Sequence, residues 1–352
     1  MIIERDYSLK EHNTFGIDAK CDLYLEYANV EEAREVAAML NQQLTSTSTS
    51  TSTSHHSPLT THHSLFLIIG GGSNLLLTQD FKGTVVRSAI TGIRFDGELV
   101  ACGSGMEMDG VIAQCIEQGL YGAENLSLIP GDVGACAVQN IGAYGVEAKD
   151  IIECVRAVEI ATGELHELKN EDCHYGYRQS RFKQEWRNRY LITEVVFRLS
   201  REFRPHLDYG NIRAELQRQG IGKPNARQLR NVIIGIRQAK LPDWKLVGNA
   251  GSFFMNPVVG REKYEALAAQ YPGMPHYFID EGHEKIPAGW MIEQCGWKGR
   301  SLGRAGVYEK QALILVNRGG ATGAEIVALC EAIRHDVQQK FDIDIHPEVN
   351  II

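Results

Sequence analysis

The chain has 352 residues, 43% hydrophobic and 23% charged, with a formal net charge of −8. That is ordinary globular usage, enough for about two to three domains with a sizeable core. An acidic chain lacks the basic face of a nucleic-acid binder, so any anionic ligand must be held by local basic groups. No run of about eighteen apolar residues occurs, so no membrane insertion is expected. The first residues, Met1 to Asp18, are too charged for a secretory signal. The eight cysteines form no CxxC pair, which predicts isolated reduced thiols and no metal site in a cytoplasmic protein.

In chain order, Asn29 followed by Glu32 predicts a capped helix carrying Val30, Ala33, Ala37 and Leu40 on one stripe. Residues 45–64 are a Ser/Thr tract with His55, His56, His62 and His63, and read as a solvated loop because hydroxyl residues bury little apolar area. Leu65 to Ile69 reads as a buried strand entering a polar glycine loop. Thr84–Arg87, Val155–Ile160 and Leu191–Phe197 read as further strands, and Asp109–Glu117 as a helix. From about Ile221 the texture changes. Helices are expected over Asn225–Gln238 and Glu262–Gln270, and a third opens on the Thr322/Glu325 capping box. Phe341, Ile343, Ile345, Val349 and Ile351 alternate with polar residues, which predicts a half-buried terminal strand with Glu348 on its polar side.

Two glycine-rich stretches stand out. Gly70-Gly71-Gly72-Ser73-Asn74 is neither a dinucleotide fingerprint nor a P-loop, yet consecutive glycines after a strand present unobstructed N–H groups that can cradle a pyrophosphate. A tight turn explains it equally well. The second, Ile129 to Gly145, is glycine- and alanine-rich and carries no charge between Asp132 and its end. Small residues there allow close approach of something flat, or of a second protein layer.

Gly70 to Leu75, Ile129 to Gly145, Tyr175-Gly176-Tyr177-Arg178-Gln179-Ser180, Gly248 to Pro257 and His346 to Val349 together resemble, in order and spacing, the UDP-N-acetylenolpyruvoylglucosamine reductases, in the longer subtype with a substrate-covering tyrosine segment. The resemblance implies an α+β fold: a two-part FAD-binding unit of the vanillyl-alcohol-oxidase type (subdomains 1–77 and 78–218), a C-terminal α+β substrate-binding domain (219–335) and a terminal strand (336–352). It implies non-covalent FAD held by Gly70, Gly71, Gly72, Ser73, Asn74, Leu75, Ile129, Pro130, Gly131, Ala135, Val138, Gln139, Gly142, Ala143, Ile192 and Arg237. Ala135 and Cys136 stand where members often carry serine, which removes hydroxyl contacts at the flavin phosphates.

The implied reaction is NADPH-dependent reduction of an enolpyruvyl ether on a UDP-sugar, giving UDP-N-acetylmuramate for peptidoglycan synthesis. Hydride addition leaves negative charge on the carbon beside the carboxylate, so the protein needs a carboxylate clamp and a proton donor. By the resemblance, Arg178 is the clamp, Ser252 the proton donor, and Glu348 a protonated hydrogen-bond donor, since an ionised glutamate would repel the substrate. Tyr209, Lys240, Asn256, Tyr277 and Gln311 match positions that hold the UDP-sugar. A monomer is expected. The competing readings are an FAD-dependent sugar or alcohol oxidase on the same scaffold, with Cys136 as a covalent flavin site, and a non-catalytic nucleotide-sugar binder.

Overall fold

The computed structural model describes residues 1–48 and 65–352. Packing groups them into two compact units. The first comprises Met1–Tyr7, Phe81–Arg237 and the described part of Cys21–Gly71; the second comprises Ser8–Lys20, Gly72–Asp80 and Gln238–Ile352.

In the first unit, Lys20–Tyr27 and Phe66–Ile69 flank Phe81–Ser88, each parallel to it, and Ile2–Ser8 lies outside Lys20–Tyr27. Helix α1 (Val30–Ser48) covers this sheet. The Asn29 Oδ1 accepts from the Glu32 N–H at 2.9 Å and the Glu32 carboxylate accepts from Ala28 at 2.8 Å, satisfying donors that the helix start leaves open. Ala33, Val36, Ala37 and Leu40 pack with Leu25, Val86, Val158 and Leu191. The helix runs on through residues 45–48, where the sequence suggested a loop. Extending a formed helix adds one bond per residue fixed, and the Thr45 hydroxyl bonds back to the Asn41 carbonyl at 3.1 Å. The rest of the expected loop, with its four histidines, lies outside the described residues.

A five-stranded antiparallel sheet follows, ordered Leu165–Lys169, Ile152–Glu159, Tyr190–Arg198, Leu99–Gly103, Ile93–Asp96. Helices α2 (Met108–Glu117) and α3 (Val133–Gln139) share its core through Val111, Ile112, Val133 and Cys136 with Val155, Ile192 and Val195. Helices α4 (Ile212–Arg218) and α5 (Ala226–Lys240) share a cluster of Ile212, Leu216, Leu229, Val232, Ile233 and Ile236. Each such side chain contributes about 1.5–3 kcal/mol when fully buried. A two-point Arg230–Asp109 pair at 2.6 and 2.9 Å joins α5 to α2, so this compact unit reaches Arg237, past the change of texture seen near 221.

In the second unit, a four-stranded sheet (Gly248–Asn249, Leu315–Asn317, Ala305–Val307, Ser301–Leu302) packs with α8 (Gly323–Phe341). Thr322 and Glu325 make the expected reciprocal capping box. A second, three-stranded antiparallel sheet holds Val258–Gly260, His283–Lys285 and Tyr277–Asp280; helix α6 (Arg261–Gln270) lies between Val258–Gly260 and Tyr277–Asp280 along the chain, and α7 (Ala288–Gln294) follows His283–Lys285. The expected terminal strand is corrected: α8 runs to Phe341, and only Asn350–Ile351 joins a ladder, parallel to Leu75–Leu76. The alternation holds as far as Val349, with Ile343, Ile345 and Val349 buried and Asp344 and His346 exposed, and fails at Ile351, which is exposed. Alternation reports which side chains are buried; it does not report whether the backbone finds a partner.

Candidate active site

The two glycine stretches meet in the first unit. A Cβ on Gly70 would lie 2.9 Å from the Ala135 Cβ, and one on Gly71 would lie 3.1 Å from the Asp132 Oδ1. The missing Cβ at Gly70 and Gly71 thus lets the two stretches pack closely. Gly72 to Leu75 group instead with the second unit. The Gly72 carbonyl accepts from the Thr14 N–H at 3.2 Å, and the Asn74 carbonyl accepts from the Asn350 side chain at 3.0 Å. A Cβ on Gly72, at φ +63°, would collide with the His12 carbonyl.

Asp132, just before α3, was not singled out from sequence. It is buried, its Oδ2 has no hydrogen-bond partner, and the Arg87 guanidinium is 3.7 Å away. Burial pushes its carboxyl up to about 6; Arg87 opposes this and Glu107 adds to it. The signal in sequence was a lone acid within an otherwise small and apolar run.

The motif around Arg178 is built onto the second glycine stretch. The Ser180 hydroxyl donates to the Val138 carbonyl at 2.6 Å, the buried Asn140 amide to Gly176 O at 2.8 Å, and Lys183 Nζ to Gln139 Oε1 at 3.1 Å. Arg178, at φ +55°, donates to Gly142 O at 2.6 Å and Asn140 O at 3.3 Å. A Cβ on Gly142 would sit 3.0 Å from both the Arg178 Nη1 and the Val146 carbonyl oxygen, a tighter approach than ordinary contact. Arg237, at the end of α5, donates to Leu128 O at 3.3 Å. Burial is the main force lowering the Arg237 guanidinium, with the Arg178 charge pushing the same way against Tyr144 and Asp109. Two guanidinium groups close enough to repel are balanced when an anion binds between or beside them.

These residues fit FAD. Ile129, Val138 and Ile141 pack on the core yet stay partly exposed, as do Gly142 and Ala143, leaving an apolar and backbone-lined strip suited to a flat ring system. Arg178 and Arg237 supply the positive charge that an electron-accepting ring favours nearby. Ile192 lies behind this strip, buried, its carbonyl accepting from Tyr27 and Ser104. Cys136 is 1% exposed and burial pushes its thiol up, so it presents no thiolate for a covalent flavin bond.

In the second unit, Ser252 and Glu348 are brought together. Gly251, at φ +68°, turns the chain so that Ser252 is exposed while Phe253 is buried, edge-on to Phe15 and Phe254. The Phe253 N–H donates to Leu313 O at 2.8 Å, and the Phe253 carbonyl accepts from the Glu348 N–H at 2.8 Å. The Met255 N–H donates to His346 O at 2.9 Å, so the terminal segment runs beside the serine stretch. Gln311 accepts from the Leu313 N–H at 3.3 Å, and the Asn256 Oδ1 from Ala288, at the start of α7, at 2.9 Å. Lys240 is exposed at the end of α5, and Tyr277 is exposed on the three-stranded sheet. Tyr209 groups with the first unit, its ring 6.5 Å from that of Tyr144 and its Cβ against Gly145. Among the described residues no group of three His, Cys, Asp or Glu side chains is placed to hold a metal, and no helix is long and apolar enough to cross a membrane.

Residues 59–169 match the family described as FAD binding domain. An α+β FAD-binding unit with an anion-seeking arginine pair defines the chain as an FAD-dependent oxidoreductase. Residues 242–352 match a second family, the C-terminal domain of UDP-N-acetylenolpyruvoylglucosamine reductase. Over nearly its full length the chain is similar to proteins of that name from Bacteroides fragilis (50% identical, 99% of this chain and 100% of the relative) and Pseudomonas aeruginosa (43%, 99% and 98%). The chain belongs to the UDP-N-acetylenolpyruvoylglucosamine reductase family. A crystal structure of the Thermus caldophilus reductase aligns over 100% of this chain and 99% of its own, with a TM-score of 0.66; at 22% identity it speaks for the fold alone.

Proposed function

We propose that this chain reduces the enolpyruvyl group of UDP-N-acetylenolpyruvoylglucosamine to give UDP-N-acetylmuramate, using Arg178, Ser252 and Glu348 as its catalytic residues. FAD held by the Gly70–Leu75 and Ile129–Ala143 stretches would, once reduced by NADPH, supply the hydride for the double bond. Arg178 holds the substrate carboxylate and stabilises the charge that develops beside it. Glu348 keeps a proton and donates it in a hydrogen bond to the same charge. The Ser252 hydroxyl delivers a proton to the carbon next to the carboxylate, completing addition across the bond. Lys240, Asn256, Tyr277, Gln311 and Tyr209 bind the UDP-sugar, with residues 219–335 as the substrate domain. The cofactor contacts run from Gly70 to Leu75 and along Ile129–Ala143, joined by Ile192 and Arg237. A monomer in the cytoplasm accords with this reading.

What supports it is the position of Arg178, whose guanidinium donates to the Gly142 and Asn140 carbonyls at the end of the partly exposed Ile129–Ala143 strip, because a cation there can hold an anionic substrate beside a flavin. The oxidase reading needs no such clamp and loses its covalent site at Cys136. The test is NADPH oxidation by the yellow holoprotein. It should depend on the enolpyruvyl UDP-sugar, and all flavin should be released by acid. Flavin retained in the acid pellet, or turnover with simple sugars and oxygen alone, would reject the proposal.

A further inference from the structure

The three-stranded sheet bearing Tyr277 has an unusual interior. All four residues of Tyr277–Asp280 are exposed, Phe278 at 64%, and Val258 and Gly260 are exposed on the opposite edge strand. The one buried residue of the three strands is a carboxylate, Glu284, at 2% exposure. Its Oε1 accepts from the Arg261 Nη1 at 3.1 Å, and its Oε2 meets the His276 Nδ1 at 2.9 Å. Arg261 opens α6 and His276 immediately precedes the strand of Tyr277, its ring tilted at 36° with its centroid 4.5 Å from that of Tyr264.

Strand register is set where one face is buried and is weakly specified where neither is. Nothing apolar in Tyr277–Asp280 fixes its register, and the pairing already shifts between Phe278 and Asp280. A slip of one residue would turn Tyr277 to the other face. A buried carboxylate resists such a slip, because carrying His276 away strips Glu284 of one of its two partners out of water. Phe278 lies directly across from Glu284, and Tyr277 across from Lys285. The His276–Glu284 contact therefore pins the strand at the residue before Tyr277.

We propose that Glu284, clamped by Arg261 and His276, is a positioning residue that fixes the register of the Tyr277 strand and so presents Tyr277 to the UDP-sugar. This rests on the substrate role given to Tyr277 above. Polar burial here secures specificity of pairing where apolar burial is absent, a use attested for single buried polar groups elsewhere.

The test uses the FAD-loaded enzyme. Glu284→Ala should raise the KM for the enolpyruvyl UDP-sugar about tenfold or more, the scale of a misplaced binding group. Flavin content and the rate of flavin reduction by NADPH without sugar should stay within about twofold of the parent, inside ordinary context scatter. Glu284→Gln should recover part of the loss, since its carbonyl still accepts from Arg261. Combined with Tyr277→Ala, Glu284→Ala should add nothing further, because both act through one side chain. Fully multiplicative effects, or a parallel fall in flavin content and flavin reduction, would overturn the proposal. If Tyr277→Ala alone leaves the KM unchanged, the substrate role of Tyr277 fails, and the proposal with it; if Tyr277→Ala raises KM and Glu284→Ala does not, only the proposal fails. Should Glu284→Ala not fold, His276→Gln removes one clamp at an exposed position and must show the same KM-selective loss.

Discussion

On the proposed reading, the stretch around Arg178 and the sheet around Tyr277 solve one problem, placing a polar side chain for a ligand, by opposite means. Around Arg178 the chain uses contact: the Asn140 and Gly142 carbonyls receive the guanidinium, the Ser180 and Asn140 side chains bond neighbouring backbone, and a missing Cβ at Gly142 makes room. Around Tyr277 the side chains are mostly in water, and one buried carboxylate between two bases holds the pairing. Backbone-bonded sites are costly to disturb and stay in place without ligand. A sheet held by an ion-pair clamp is specified in register yet adds little apolar burial, so it is the region expected to open at lower free energy.

Substitutions can break this contrast. Arg178→Ala should have the largest effect, with kcat/KM for the enolpyruvyl UDP-sugar falling about 10³-fold or more, split between affinity and rate, since it removes ground-state and transition-state charge together. Steady-state kinetics with sugar and NADPH varied separately would check it. A loss confined to NADPH would move Arg178 off the substrate.

Asn140→Ala should destabilise the first unit by about 1–3 kcal/mol, because it leaves the Lys149 N–H without the Asn140 Oδ1 acceptor and removes the donor to Gly176 O. Denaturant unfolding of the FAD-free protein measures this. No change would mean water replaces the bonds, and the contrast between the regions would weaken.

Asp132→Asn should stabilise the FAD-free protein. A carboxyl raised from 3.8 to about 6 binds more protons folded than unfolded, so its contribution worsens as pH rises through that window. The variant should gain up to about 3 kcal/mol above pH 7 and nothing below about pH 4. Denaturation midpoints across pH 4–8 give the answer; a gain that grows toward low pH would have the wrong sign. Thr322→Ala should cost least, about 1 kcal/mol through loss of the α8 capping box, with no effect on KM.

How much of this was legible in the sequence follows from the same physics. The helix starts at Asn29 and Thr322 were readable because a cap is a local event between residues three apart. The glycine stretches announced small-residue packing, and their motif order pointed to the family. That Gly70 and Gly71 press on Asp132 and Ala135 was not readable, because it is a contact across a wide sequence separation. Nor was the pairing of Glu348 with Phe253. The alternation gave burial correctly from Phe341 to Val349 but not at Ile351, which is exposed, and it gave pairing wrongly, since the segment beside Phe253–Met255 makes single bonds and no ladder. Glu284 carried no signal at all: an acid in a polar strand looks like any solvated one until Arg261 and His276 are seen on either side.

The central claim is a division of labour, in which Arg178 holds the substrate carboxylate and Ser252 supplies the proton, neither being needed for flavin reduction by NADPH. Stopped-flow absorbance on Ser252→Ala tests it most directly. Flavin bleaching by NADPH should proceed at the parent rate, and reoxidation by the enolpyruvyl UDP-sugar should slow by at least the factor of about 10²–10⁴ that general acid catalysis supplies. If bleaching slows as much as reoxidation, Ser252 is structural and the division fails.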